Sequence, residues 1–455
     1  MRITNKECKI IDTAVYFLLA NLFIFLSIYH SNWNMSILVN ISFYVIGFFS
    51  FYRVVTIKKN ITLLRNFYIF EFIFLYYAAL IQYGNHSNIW FGVGLNIEFE
   101  DIDYFYTNLL ILFFNCILEF FYYFYKPNYN KHMVKFEFSN DCYTIFNLIN
   151  ILSFFFLFAT NNINSKSLLN NSNYNLSVQI INILKFIPVS SIIIAVTFKK
   201  ESKLSFYNKV SLALYIIFFL VLFYPFYGSV SRYLIFGSYL CILTLFCSNF
   251  KIKSIFFAMF IFGFLVLFSS FNYFKYNNRL EGFSISFSNL DAEDFDAYQL
   301  IMIAIKYTQN RGCLFGKNVL SAILCFIPRS IWSNKCLPSG EIMFDFYGAT
   351  FTNVSCPVIG EAYISFGIIG ILIFSGLLGY AFKRLDNSIS KSYSHFIFII
   401  ISGFEIYLLR GALLPTWSYT VVNIISLSFM FTVFSLFKRK NKRIYLCKEV
   451  IPIKC

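Results

Sequence analysis

The sequence predicts an all-α polytopic integral membrane protein with about twelve transmembrane helices and one large loop outside the membrane. Three observations carry this. Of 455 residues, 58% are hydrophobic and 13% charged, too apolar a balance for a soluble domain of that length. The 62 Phe and 33 Tyr suit lipid-facing and interfacial surface better than a soluble core, where so many large rings would pack badly. The basic residues behind the net charge of +15 do not form a nucleic-acid-binding stripe. They fall in every second short loop, so no nucleic-acid partner is expected.

Apolar runs of about 17 to 23 residues can cross a bilayer as helices. They extend near Ile10–Tyr29, Ser36–Tyr52, Phe67–Tyr83, Tyr106–Tyr125, Cys142–Thr160, Leu176–Phe198, Ser211–Phe226, Tyr233–Phe250 and Ser254–Phe271, and again near Ala362–Phe382, His395–Leu409 and Ser418–Phe437. This divides the chain into residues 1–271 with nine spans, a loop over 272–361 with short amphipathic helices, and residues 362–455 with three spans and a basic tail. Alternate loops carry Arg2, Lys6 and Lys9, then Arg53, Lys58, Lys59 and Arg65, then Lys126, Lys131 and Lys135. The series continues with Lys199, Lys200, Lys203 and Lys209, Lys251 and Lys253, Lys383, Arg384 and Lys391, and the tail from Lys438. Roughly 26 of the 37 Lys and Arg lie on that side, so the positive-inside rule makes it cytoplasmic. Both termini are expected inside and the long loop outside. No small-x-small cleavage site closes the first apolar run, which reads as an uncleaved helix.

The segment from Phe271 to Glu361 is too polar to span. Leu290-Asp-Ala-Glu-Asp-Phe-Asp296 looks like an acidic helix start and Tyr298–Ile305 like a helix too short to cross. Val319–Pro328 is a second short apolar run, ended by its proline. Both are expected to lie on or dip into the outer surface. Five arginines face this side: Arg232, Arg279, Arg311, Arg329 and Arg410. A guanidinium is a planar, permanently charged fork that grips phosphate oxygens, so the cluster suits a diphosphate; snorkelling at the interface, or pairing with acids of the loop, is the plainer alternative for any one of them. Glu361, at the mouth of the tenth predicted span, could serve as a general base if its low-dielectric setting raises its pKa, or could cap a helix start. Glu341 and Asp345 are the next carboxylates considered.

Other chemistries find little support. The four histidines, His30, His86, His132 and His395, all lie outside the loop, and zinc spacing, a nucleophile elbow and a phosphate-binding Gly-Lys-Ser/Thr loop are absent. No metal or cofactor is expected. Glu98-Phe-Glu-Asp-Ile-Asp103 could hold a hard cation, although a solvated charged loop explains it as well. Of the 11 cysteines, Cys336 and Cys356 flank a Gly-containing stretch in what would be an oxidising compartment and could pair. Glu71, Glu119, Lys185 and Glu405 fall inside predicted spans, where Lys185 could pair with a glutamate or the group could mark a transport path.

Gly316, then Phe326-Ile-Pro-Arg-Ser-Ile-Trp332, Lys335, Gly340 and Gly360-Glu-Ala-Tyr-Ile-Ser-Phe-Gly-Ile-Ile-Gly370, with the Gly-Ser-x-Ser-Arg approach ending at Arg232, resemble the outer-loop signature of bacterial O-antigen polymerases. The resemblance covers about residues 228–370. It implies a C-type glycosyltransferase-like helical fold in the bacterial inner membrane, joining oligosaccharide repeat units carried on undecaprenyl diphosphate. The partners it implies are that lipid-linked oligosaccharide, the membrane lipid, and a chain-length regulator and flippase of the same assembly route. Carried onto this chain, Arg329, Arg232 and Arg410 would hold the diphosphate, with Arg311 and Arg279 as further contacts, and Glu361 would take the acceptor proton. One departure is local: Lys335 is followed by Cys336-Leu-Pro338, where the family places a proline directly. Two rivals remain. An O-antigen ligase resembles a scheme with a loop histidine, which this loop lacks, and a lipid-linked oligosaccharide flippase leaves the long loop without a purpose.

Overall fold

The structure, a computed structural model, describes residues 5–30, 36–57, 59, 61–90, 95, 97–126, 140–163, 176–198, 205–224, 231–247, 254, 257–258, 263, 290–351, 354–388 and 392–448. Among these every regular element is helical. In chain order the α-helices are α1 Asn5–His30, α2 Ile37–Thr56, α3 Leu63–Glu71, α4 Ala78–Gly84, α5 Asp101–Phe124, α6 Asn140–Ala159, α7 Leu176–Lys185, α8 Ile187–Thr197, α9 Phe206–Leu222 and α10 Arg232–Cys247. They continue as α11 Ala297–Arg311, α12 Lys317–Ile323, α13 Ser339–Phe346, α14 Val358–Phe366, α15 Ile368–Asp386, α16 Tyr393–Phe404, α17 Ile406–Arg410 and α18 Leu413–Lys448.

Nine stretches among the described residues are long and apolar enough to cross a membrane, and α9 and α10 are shorter apolar helices. The chain is therefore an α-helical polytopic membrane protein. Most of the predicted ninth span, Ser254–Phe271, lies outside the described residues, as do the loop portion 272–289 with Arg279, and Gly228–Val230.

One helix organises the rest. From Leu63 to Gly84, α3 and α4 run on through a π-helical turn at Phe72–Tyr77, and the apolar window of this stretch is entirely buried. Its side chains meet neighbours on all faces, so few lipid contacts are left to it. Polar groups inside the bundle find local partners, as low dielectric demands. Glu71 accepts from Ser50 Oγ at 2.6 Å and from Asn115 Nδ2 at 2.8 Å, and Glu119 takes a two-pronged contact from Arg53 at 2.5 and 2.9 Å. The expected Lys185–glutamate pair does not form: Lys185 Nζ donates to the Ile163 carbonyl at 3.4 Å. The acidic cluster at Glu98–Asp103 is the start of α5, where Glu100 and Asp103 form a reciprocal capping box and Asp103 pairs with Lys306 at 2.8 Å. No group of possible metal ligands occurs among the described residues.

Two expectations need correction. The tenth span does not begin at Ala362, and the boundary at Glu361 falls inside α14. The chain breaks at Gly367, whose φ of +61° suits a residue without a Cβ, and the span follows as α15. The run Tyr298–Ile305 is not a surface helix either. In α11 residues 297–305 are all buried, because the Tyr298 hydroxyl donates to Asn108 Oδ1 at 2.8 Å and α5, α14 and the π-helical turn pack around the helix. The run was too short to span, and protein covers it instead of lipid or water. Only α12 keeps the expected amphipathic surface character, with Leu320 and Ile323 exposed and Asn318, Ser321 and Ala322 buried.

Candidate functional site

The end of the bundle that bears the long loop has a small apolar core of its own. Trp90, Leu95 and Ile97 pack with Leu300, Ile303, Met343, Phe344, Val354, Ile364 and Ala412. Polar ties fix the segment before α11 to the end of α4: Gln82 Nε2 donates to the carbonyls of Leu290 at 3.0 Å and Phe295 at 2.9 Å, and Ser87 Oγ donates to Asp291 at 2.5 Å. The described part of the loop is thus a folded cap, and three charged nodes are built on it.

The first node joins the start of α10, the end of α17 and the turn 293–296. Arg232 Nη1 contacts Asp294 Oδ2 at 3.1 Å, and the Tyr233 hydroxyl donates to the Asp294 carbonyl at 2.7 Å. Arg410 donates from Nε to the Asp294 carbonyl at 2.9 Å, from Nη2 to the Glu293 carbonyl at 2.6 Å, and from Nη1 to Ser355 Oγ. Its guanidinium also lies over the Tyr233 ring, 5.4 Å from the centroid, and Nη1 stands 3.2 Å from Asp296 Oδ1. That last contact is ionic, not a directed hydrogen bond, because neither Asp296 oxygen takes one among the described residues. Asp296 is 0% exposed. Burial pushes its pKa up to about 7, against the pull of Arg410 and of its own backbone amide and with Asp294 and Glu293 adding to the rise.

The second node is the Pro-Arg motif, which closes on itself. Arg329 donates from Nη1 to the Lys335 carbonyl at 2.5 Å and from Nη2 to the Cys336 carbonyl at 3.2 Å. Lys335 is buried, and its Nζ donates to the carbonyls of Leu324, Cys325 and Ile327 at 3.1, 2.9 and 3.0 Å. Two cations thereby satisfy five carbonyls, three of them just past the end of α12, where a helix leaves acceptors without partners. Burial lowers the Lys335 pKa. The missing proline after Lys335 disturbs nothing here: the Cys336 amide donates to Ser321 Oγ at 3.0 Å, a bond that a proline at that position could not make.

Glu361 centres the third node. Its Oε2 accepts from Ser339 Oγ at 2.6 Å and Asn318 Nδ2 at 2.8 Å, and its Oε1 from the Leu413 amide at 2.7 Å. One carboxylate thus ties α12, α13 and α14 to the first residue of α18. Glu361 does cap a helix, but the helix is α18 and not its own. Burial raises its pKa and the three donors oppose the rise. At 1% exposure, with three of about four acceptor positions filled, it is poorly placed to meet a substrate hydroxyl.

The nodes are contiguous. Gly340 sits against the backbone of Val354 and Ser355, where a Cβ would come within 2.2 Å of the Val354 carbonyl oxygen. Ser355 in turn holds Arg410, and Ser339 holds Glu361. Glu341, in the first turn of α13, is half-buried; burial raises its pKa, Arg329 opposes this and Asp345 adds to it. Asp345 is exposed. Arg311 stands apart from the other arginines, exposed, with its guanidinium 4.7 Å from the Phe346 ring centroid. Cys336 and Cys356 are free thiols, so the possible disulfide is not formed.

The structure thus brings Arg232 and Arg410 into one node, links Arg329 and Glu361 to it through the cap, and leaves Arg311 aside. Asp294, Asp296, Tyr233, Ser355, Ser339 and Asn318 are site residues that sequence reasoning did not single out. The acids had a signal, the spacing within Leu290–Asp296, but it read as a helix start. Comparison with protein-family models, curated proteins and solved structures finds no match to this chain.

Proposed function

We propose that the protein is an inner-membrane glycosyltransferase that polymerises oligosaccharide repeat units carried on undecaprenyl diphosphate at the periplasmic face. The observation that carries this reading is the convergence of Arg232 and Arg410, 178 positions apart in sequence, on one acid-lined node at the loop-bearing end of a membrane bundle. A diphosphate leaving group needs such a site, because fixed cations stabilise the charge that develops as the glycosidic bond to the lipid breaks. In the structure Asp294, Asp296 and backbone carbonyls satisfy these guanidinium groups. A diphosphate would take over the place of the Asp296 carboxylate on Arg410, with Arg232 beside it.

In the reaction, Arg232 and Arg410 hold the donor's diphosphate while Arg329 keeps the α12–α13 connection in shape beside it. Glu341, partly open to solvent and next to Arg329, takes the proton of the acceptor hydroxyl as that oxygen attacks the donor's anomeric carbon. The lipid diphosphate departs with the bonding electrons. Glu361 acts by positioning, through its hold on Ser339, Asn318 and α18. No cofactor or metal enters. A flippase delivering lipid-linked units and a chain-length regulator are the expected pathway partners.

The test is reconstitution. Purified protein given only undecaprenyl-diphosphate-linked repeat units should produce a ladder of longer glycans with no nucleotide present. Product formed only when a lipid A core acceptor is supplied would indicate a ligase, and absence of any glycosidic product in detergent would point to a transporter.

A further inference from the structure

Among the charged groups at the loop-bearing end, Asp296 is the one whose surroundings fit a single state poorly. It is fully buried at the N-terminus of α11, neither oxygen accepts a hydrogen bond, and its one compensating contact is the Arg410 guanidinium at 3.2 Å. The other charged or titratable groups facing it are Asp294 and Glu293 on its own turn and Tyr233 on α10. None of these can neutralise a carboxylate.

Arg410 is also the group assigned to a diphosphate. An anion drawn to Arg410 weakens the only ionic support that Asp296 has among the described residues. A buried carboxylate deprived of its counter-ion, with no neighbouring side chain donating to it, neutralises instead of remaining charged. We propose that the Arg232–Arg410 node exchanges a carboxylate for a lipid diphosphate, so that donor binding is coupled to uptake of a proton by Asp296. The exchange balances: one proton from solvent adds to an Asp296 carboxylate oxygen, the Asp296–Arg410 ion pair opens, and the diphosphate oxygens pair with the guanidinium. Release of the spent lipid diphosphate reverses each step. The inference rests on the diphosphate role given above to Arg232 and Arg410. Beyond that role, it assigns Asp296 as a competing internal ligand that resets the site after each turnover.

The pH dependence follows from the free-state pKa of about 7. At about pH 6 most Asp296 is already protonated and binding takes up little; at about pH 8 it is ionised and binding takes up close to one proton. Affinity therefore falls as pH rises, steepening toward tenfold per pH unit above the midpoint, as one-proton linkage requires.

The experiment is calorimetric titration of the full-length protein in detergent with a short dialkyl diphosphate diester, whose two charges do not titrate in this range. Buffers of different ionisation enthalpy report the protons exchanged. Wild type should bind with proton uptake rising from near zero to near one between about pH 6 and 8. Asp296→Asn should bind with no proton exchange, and with an affinity that no longer varies with pH. Infrared difference spectra of wild type at about pH 8 give a readout independent of the variant's folding, since a protonated-carboxyl band should appear on adding the diester. Wild-type binding without proton uptake, or without that band, overturns the exchange while leaving the arginine assignment standing. No binding by wild type at any pH overturns both.

Discussion

Two carboxylates buried at the same end of this molecule have opposite surroundings. Glu361 accepts from an amide, a hydroxyl and a carboxamide on three different segments; Asp296 accepts from none and leans on a single guanidinium. A buried polar group that is fully satisfied specifies structure. One left with only a charge partner is poised to change state, so burial alone does not separate the two. Their donors do: Glu361 is a bolt between α12, α13, α14 and α18, and Asp296 is half of an exchangeable ion pair.

The largest expected effect comes from the motif between the two nodes. Arg329→Ala releases the carbonyls of Lys335 and Cys336 and should cut polymer formation by about a hundredfold, the scale of a misplaced reacting group, while the protein still inserts in membranes. Arg329→Lys should restore activity only in part, because a point charge cannot bridge two carbonyls as the fork does. Glycan length on a gel, scored against membrane protein level, checks both. Full activity of the alanine variant would detach Arg329 from the site.

Paired amide substitutions test the two carboxylates against each other. Every group facing either Glu361 oxygen is a donor, so in Glu361→Gln the amide nitrogen must meet one of them. The expected cost is about 2 kcal/mol, the scale of a lost hydrogen bond to a charged group, seen as a lower unfolding temperature in detergent. Asp296→Asn removes a buried carboxylate whose ionised form the fold disfavours, so at neutral pH it should unfold at or above the wild-type temperature. If the Asn variant were the less stable of the two, Asp296 and not Glu361 would be the structural tie.

Asp296 also predicts a pH dependence of stability. Its pKa is raised on folding from 3.8 to about 7, so the protonated form is the one that folding favours. Its contribution is complete below about pH 4 and is lost as pH rises to about 7, at most about 4 kcal/mol at 1.4 kcal/mol per unit. Unfolding temperatures of wild type should carry that slope, and those of Asp296→Asn should lack its share; identical slopes would remove Asp296 as a titrating group.

A smaller effect, on topology alone, concerns orientation. Reporter fusions after Lys59 and Lys391 should read cytoplasmic and one after Asn310 periplasmic, and a cytoplasmic signal at Asn310 would place the site on the wrong face for lipid-linked repeat units.

Much of the fold was legible in the apolar runs. Spans such as Ile37–Thr56 and Ile368–Asp386 announce themselves because bilayer thickness sets their length. The fate of Tyr298–Ile305 was not legible, since a mostly apolar run of about eight residues fits a surface helix as well as one enclosed by other helices; the contact that decides it, Tyr298 to Asn108, spans 190 positions. The site divides in the same way. Arg232, Arg329, Arg410 and Glu361 stood out by residue type and neighbours, but their partners did not. Leu413 lies 52 positions from Glu361, and the Glu293 and Asp294 carbonyls lie 117 and 116 positions from Arg410. Charge type is written in a sequence, whereas which acid an arginine meets depends on how the helices pack.

The most direct measurement is the reconstituted ladder assay, run across about pH 6 to 8 at low donor concentration on wild type, Asp296→Asn and Glu361→Gln, normalised to folded protein. A nucleotide-independent ladder is expected from all three, with yield falling as pH rises for wild type and Glu361→Gln and staying level for Asp296→Asn. A ladder from wild type that Glu361→Gln abolishes while remaining folded would return the chemistry to Glu361, and no ladder from wild type would contradict the polymerase reading itself.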